Sequence, residues 1–214
     1  LDFVTSLEEL RVGFAAWDEE SGIKHVMVAA GTAPGSTSVL DWTDVEVNGR
    51  RHVRVPLPEG TSLARHVRYY VAVSGVNGAG LLALWSSSDG IMIDDTEPVC
   101  VEYRVRDGTH RLLDSDFTSL STEVTAQWRS AMFDLESLIS HFRVTLEDAE
   151  SGLVLAGPMD VGKATKVTFK ELSLGHTQRI RTVVTAVNRA GTERDCATDG
   201  MLVDLTGPVP TDHP

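Results

Sequence analysis

Residues 73–98 (VSGVNGAGLLALWSSSDGIMIDDTEP) recur in worn form at 185–208 (TAVNRAGTERDCATDGMLVDLTGP), so the chain carries one module twice. Asn77 and Gly80 return 111 residues later as Asn188 and Gly191, and Asp94 returns 110 residues later as Asp204. Solenoid units repeat every ~20–50 residues, whereas a period near 110 suits an independently folding domain. A tandem array of such domains is expected to space, adhere or display.

The N-terminal halves also match. Asp2-Phe3 is aligned with Asp116-Phe117, Trp17 with Trp128, and Ile23-Lys24-His25-Val26 with Ile139-Ser140-His141-Phe142. The offset drifts from 114 to 111 to 116, as expected where loops change length and strands do not. This phasing gives a first module over 1–98, a second over 99–208, and the start of a further module or tail over 209–214. The second copy owns a strand-like lead-in, Val99 to Val105, that the first copy lacks. The chain is therefore expected to be part of a longer array, with the opening strand of its first module supplied from outside residues 1–98, in cis or by another chain.

Composition narrows the function classes. Of the 214 residues, 42% are hydrophobic and 23% charged, ordinary for globular domains large enough to bury a core. The longest apolar-leaning stretch, Val71 to Trp85, is broken by Ser74, Gly75, Asn77 and Gly78, well short of the ~18 apolar residues of a membrane span. A net charge of −12 argues against nucleic acid, whose phosphates call for clustered Lys and Arg. The one basic cluster, Arg50-Arg51-His52-Val53-Arg54, alternates across both faces of a strand and reads as a solvated edge.

Short alternating runs bounded by Gly, Asn, Asp and Pro dominate, among them Lys24–Ala29, His52–Leu57, Tyr69–Val76, Val124–Trp128, Phe142–Leu146, Lys166–Phe169 and Arg181–Val187. They predict an all-β chain of sandwich type. Val47-Asn48-Gly49-Arg50 predicts a tight hairpin, because a primed turn needs positive φ and Asn-Gly tolerates it. Glu150-Ser151-Gly152 is expected to serve the same purpose in the second copy, and Ser130–Ser140 is assigned to a loop.

Tyr69-Tyr70-Val71-Ala72-Val73-Ser74-Gly75-Val76-Asn77-Gly78-Ala79-Gly80, with Trp17 and Trp128 on early strands, resembles the sixth-strand pattern and core signature of fibronectin type III domains. Glu20-Ser21-Gly22-Ile23, Gly31-Thr32-Ala33-Pro34-Gly35 and Asp94-Asp95-Thr96-Glu97-Pro98 resemble marks of a divergent subtype found in tandem in large extracellular metazoan proteins. The resemblance implies two tandem immunoglobulin-like, fibronectin type III-like Greek-key sandwiches without catalytic activity. It covers both copies, but the second departs. Ile180 stands in the place of Tyr69, so the corner hydrogen bond of a tyrosine hydroxyl is expected only in the first copy, and the Gly-Thr-x-Pro-Gly turn is read as decayed to Ala156-Gly157-Pro158.

In the fibronectin-like arrangement the only cysteines, Cys100 and Cys196, lie on or near the first and sixth strands of the second module. The resemblance allows a disulfide worth about 4 kcal/mol in the chain-entropy model, indicating an oxidising compartment; two unpaired thiols are the other reading. Asp89, Asp94 and Asp95, with Asp18, Glu19 or Glu20, are candidate calcium ligands at the junction, weighed against plain turn formation by Asp and Thr before proline. Gly157 to Thr165 nearly spells a phosphate-binding loop, but Ala164 stands where the magnesium-ligating hydroxyl belongs. The seven histidines are dispersed.

No cofactor and no catalytic residue is expected. Binding is expected to use the loop residues Asn77, Gly78, Arg189 and Glu193, and the expected partners are neighbouring modules of the same chain, other extracellular proteins or filament subunits. The expected place is extracellular or at the cell surface. The alternative is an accessory binding module of a secreted glycan-active enzyme, or a receptor ectodomain piece, for which Trp42 and Trp85 are the aromatic candidates.

Overall fold

The structure, a computed structural model, describes residues 2–110 and 112–210. Residues 211–214, most of the segment assigned to a further module or tail, lie outside the described residues. The chain divides into two compact units between Thr96 and Glu97.

In the first unit the strands are β1 (Asp2–Val4), β2 (Glu9–Gly13), β3 (Ile23–Gly31), β4 (Leu40–Glu46), β5 (His52–Pro56), β6 (Arg68–Asn77), β7 (Ser86–Ser87) and β8 (Ile91–Ile93). Among the described residues, β1-β8-β6-β3-β4 form one sheet with β7 added on β6, and β2 pairs with β5 in a second. Alternation aims Leu10 and Val12 of β2, Val26, Val28 and Ala30 of β3, and Val53 and Val55 of β5 into one core between these sheets. The opposite face of β5 carries the exposed Arg54, whose guanidinium donates to Glu9 at 3.0 Å.

The second unit holds β9 (Val99–Cys100), a 3-10 turn at Glu102–Arg104, β10 (Arg106–Asp107), β11 (Phe117–Thr118), β12 (Val124–Gln127), β13 (Met132–Phe133), β14 (Ile139–Asp148), β15 (Val154–Gly162), β16 (Lys166–Phe169), β17 (Arg179–Asn188), β18 (Glu193–Ala197) and β19 (Met201–Val203). The order β11-β19-β17-β14-β15, with β18 on β17, repeats that of the first unit, and β10-β12-β16 faces it. In both units a short strand entering next to the last one runs parallel to it, β1 on β8 and β11 on β19. The second core closes around Trp128, which meets Phe142 edge-on at 5.8 Å between ring centroids.

Three expectations about the core and turns need correction. Trp17 is not the counterpart of Trp128: it is 80% exposed, whereas Trp128 is 1% exposed. Phe14 holds the matching place. Its N–H donates to the Arg51 carbonyl at 3.1 Å, just as that of Trp128 donates to Thr165 at 3.0 Å, each closing the end of the β2–β5 or β12–β16 pair. Trp17 lies in the loop that follows, where its alignment on a shared letter ignored the alternation that buries Leu10 and Val12.

Asn48 (φ 45°) and Gly49 (φ 72°) do form the primed turn, closed by the Arg50 N–H on the Val47 carbonyl at 2.7 Å. The turn nevertheless joins β4 of one sheet to β5 of the other, so it is a crossover and not a hairpin. Its counterpart is the turn after β15, where Ala164 N–H donates to the Val161 carbonyl. The second-copy hairpin at Glu150-Ser151-Gly152 joins β14 to β15, and Ala156-Gly157-Pro158 lies inside β15 at a register shift, not in a turn. The Asp148 carboxylate organises that hairpin, accepting from the Ser151 N–H and hydroxyl at 2.8 Å and from Gln178 at 3.0 Å.

Trp128→Ala is expected to cost about 3–5 kcal/mol in urea unfolding, whereas Trp17→Ala is expected to stay within about 0.5 kcal/mol. The Ser151 N–H, followed by its hydroxyl and Gln178, holds the Asp148 carboxyl down to about 2, from 3.8. This depressed value stabilises the fold above pH ~4, and the contribution disappears as pH falls through about 2. Asp148→Asn is therefore expected to be less stable than the parent at neutral pH, with the gap closing toward pH 2 in parallel unfolding curves.

Candidate functional site

The loop after the sixth long strand is built identically in both units. The Asn77 amide donates to Asp18 at 3.1 Å, and its oxygen accepts from the N–H groups of Ala79 and Leu81 at 3.1 and 2.9 Å. Asn188 donates to Asp134 at 3.1 Å and accepts from Ala190 and Thr192 at 3.0 and 2.9 Å. Each asparagine thus staples its own loop to the turn entering β3 or β14. Its polar atoms hold the loop backbone. The Ser21 N–H, then the Asn77 amide, lower the Asp18 carboxyl from its ordinary value. From sequence Asp18 was weighed only as a calcium ligand and Asp134 was not singled out, although Asp18-Glu19-Glu20-Ser21 and Asp134-Leu135-Glu136-Ser137 repeat at the same offset as Ile23 and Ile139.

The other loop residues fall into place around this staple. Gly78 N–H donates to the Gly22 carbonyl at 3.1 Å, and a Cβ at Gly78 would lie 2.7 Å from the Ser21 carbonyl oxygen, so close approach requires glycine. Arg189 occupies the equivalent position, donating its N–H to the Leu138 carbonyl at 3.1 Å with an exposed side chain. Glu193 pairs with Arg143 across the sheet. Tyr69 makes the corner expected of the first copy, its hydroxyl accepting from the Ala64 N–H at 2.7 Å, and the buried Ile180 replaces it in the second.

Cys100 on β9 and Cys196 on β18 are joined as a disulfide. The bridge pins the lead-in of the second unit to the strand added on β17.

The acidic residues weighed for calcium at the junction take separate roles. Asp94 Oδ1 accepts from the Thr96 N–H at 3.1 Å and hydroxyl at 2.7 Å, and Asp204 does the same with Thr206 at 3.0 Å. These are matching Asp-x-Thr turns. Asp95 takes the Arg65 guanidinium at 2.7 Å, which lowers its carboxyl, and Asp89 stands exposed before Gly90.

A groove of about 640 Å³ runs beside β2 in the first unit, lined by Val12, Phe14, Trp17, Val73, Leu84 and Asp89 among others. In the second unit the corresponding edge of β12 is occupied by β10, and β9 covers the end of β18 through the disulfide. Among the described residues β2 pairs with β5 alone. Leu84, which lines this groove, and the nearby chain residues Leu81 and Leu82 are exposed, and Ser86 takes the register place held by Cys196 in the second unit. Trp85 packs its ring over Gly35, while Trp42 is half-buried on β4.

Asn188→Ala leaves the Ala190 and Thr192 N–H groups and a buried Asp134 oxygen without their partner. It is expected to destabilise the second unit by about 2–3 kcal/mol in equilibrium unfolding, with increased amide exchange at 189–192.

No model of a protein family matches the sequence, and no curated protein matches it either. Among solved structures, the chain is similar to domains A168–A170 of titin, with a TM-score of 0.52, 14% identity, and coverage of 94% of this chain and 60% of that one. It is also similar to the FN1–FN3 domains of chicken CNTN1, with a TM-score of 0.47, 19% identity, and coverage of 92% and 65%. The chain thus spans under two thirds of either structure. In fold, the chain is a tandem pair of β-sandwich repeats of the fibronectin type III and immunoglobulin-like kind.

Proposed function

We propose that the chain is a non-catalytic structural and adhesion element of a longer extracellular or cell-surface array, spacing and joining the domains around it. The observation that carries this reading is that what repeats between the units is internal scaffolding. The sheet order, the Asn–Asp staple and the Asp-x-Thr turn return, while the loop surface changes from Gly78, Leu81 and Leu82 to Arg189, Thr192 and Glu193. A reaction would require the reacting groups to be kept, whereas a spacer requires only the frame.

The Cys100–Cys196 bridge supports an oxidising compartment. Among the described residues no helix is long and apolar enough to cross a membrane. The groove beside β2 suits an extended segment that would pair with β2 as Arg106–Asp107 pairs with β12 in the second unit, where a 3-10 turn at Glu102–Arg104 interrupts the lead-in expected to be strand. Neighbouring modules of the array are therefore the first partners, and strand addition is the mode of joining.

Alkylation of the native protein followed by intact mass measurement tests this reading. The expected result is no label until reductant is added, then two. Two labels on folded, unreduced protein would overturn the extracellular assignment.

A further inference from the structure

At one end of the second unit three carboxylates converge away from the staples. Asp107 ends β10 of the three-stranded sheet, Asp114 follows in the loop to β11, and Asp199 lies in the turn between β18 and β19 of the other sheet. One oxygen of each lies within 4.8 Å of the others. Local geometry fixes the loop. Gly108, at φ 89°, turns the chain and donates to the Thr125 carbonyl at 2.7 Å. Asp114 Oδ1 accepts from the N–H groups of Asp107 at 2.6 Å and Ser115 at 3.1 Å, which orients its carboxylate.

Asp107 is the residue that needs explaining. It is 1% exposed, and its Oδ2 has no hydrogen-bond partner among the described residues. A buried carboxylate oxygen without a donor is a costly arrangement. Burial pushes the Asp107 carboxyl up to about 7, against the Thr198 and Gly200 groups that favour its charge, with Asp114 and Asp199 adding like-charge repulsion. Burial likewise raises Asp114, opposed by the Asp107 N–H, with Asp199 again raising it. A hard divalent cation held among the three carboxylates would give the buried Asp107 oxygen the partner it lacks.

We infer that Asp107, Asp114 and Asp199 form a calcium site that clasps the two sheets of the second unit. Oxygens within 4.8 Å of one another are close enough to share one ion at calcium–oxygen bonds of about 2.3–2.6 Å. Asp114 and Asp199 are exposed, so water has access to complete the six to eight oxygens calcium takes. The clasp differs from the disulfide in what it ties: β10 and its loop to the turn before β19, and not β9 to β18. Asp89 is the counterpart of Asp199 in the first unit, each preceding a glycine of positive φ, Gly90 and Gly200. It lines the groove of the first unit.

The test is thermal unfolding of the whole chain, stripped with chelator and then titrated with CaCl2 to about 10 mM, at least tenfold above a dissociation constant of about 10⁻⁴–10⁻³ M. NaCl at matched ionic strength is the control. The expected result is a rise of several degrees in the unfolding temperature of the second unit, absent in Asp199→Asn and Asp114→Asn. Asp107→Asn, which removes the buried charge, is expected to lose the calcium response and to be at least as stable as the parent in chelator. An unchanged unfolding temperature in CaCl2, the same rise in NaCl, or a full response retained by Asp199→Asn would each overturn the site.

Discussion

The ladder between β14 and β17, and its counterpart between β3 and β6, is the constraint on which everything else in each unit hangs. It is a long antiparallel pairing, from Asp148 opposite Ile180 to Ile139 opposite Asn188, and from Gly31 opposite Tyr70 to Ile23 opposite Asn77. A slip of one residue would turn Val144 and Val184, or Val26 and Val28, from core to solvent. The asparagine at the end of each ladder holds the register by binding an aspartate that no neighbouring register would offer. Both ladders contain a register shift at the same place, between Ile139 and His141 and between Ile23 and His25, next to that asparagine. The irregularity is therefore a fixed part of the design that feeds the chain into the stapled loop.

From this ladder the remaining chemistry is positional. Strands β12 and β16 must cross to a facing sheet to cover Trp128, Phe142 and Leu146, and their edge must then be closed by β10. Where β10 closes it, Val105 enters the core and Asp107 is carried into a buried place beside Asp199. The acidic cluster thus follows from completing the second sandwich. The first sandwich leaves the same edge of β2 uncovered among the described residues, and Phe14, Trp17 and Leu84 line the space instead.

What the sequence made legible was whatever alternation and repetition control. Lys166–Phe169 was read with its observed bounds, β3, β5, β6, β12, β14 and β17 were found within a few residues, and Asn77, Asn188, Asp94 and Asp204 were matched correctly, whereas β15, broken by Gly157-Pro158, was read as turn and loop. What escaped depends on contacts far apart in the chain. The offset from Phe14 to Trp128 is the same 114 as from Asp2 to Asp116, and the 111 implied by Trp17 came from a shared letter in a loop. Asn48-Gly49 disclosed its backbone conformation but not which sheet each flanking strand would join, because a turn's local geometry carries no information about distant partners. Asp107 and Asp199 are 92 residues apart, and only the folded sheets bring them together.

The disulfide makes two modules of like fold unlike as springs. Cys100 stands near the start of its unit and Cys196 near the end, with a separation of 96 residues. Tension applied to the termini of the chain passes straight through that bridge, so the residues between the cysteines carry no load even if their strands come apart. The first unit has no cysteine, and once its ladders give way every residue can lengthen to about 3.3–3.6 Å. An array built of both kinds of module would have its extensible length set by how many of its domains lack the bridge, with bridged domains acting as links of nearly constant length between them.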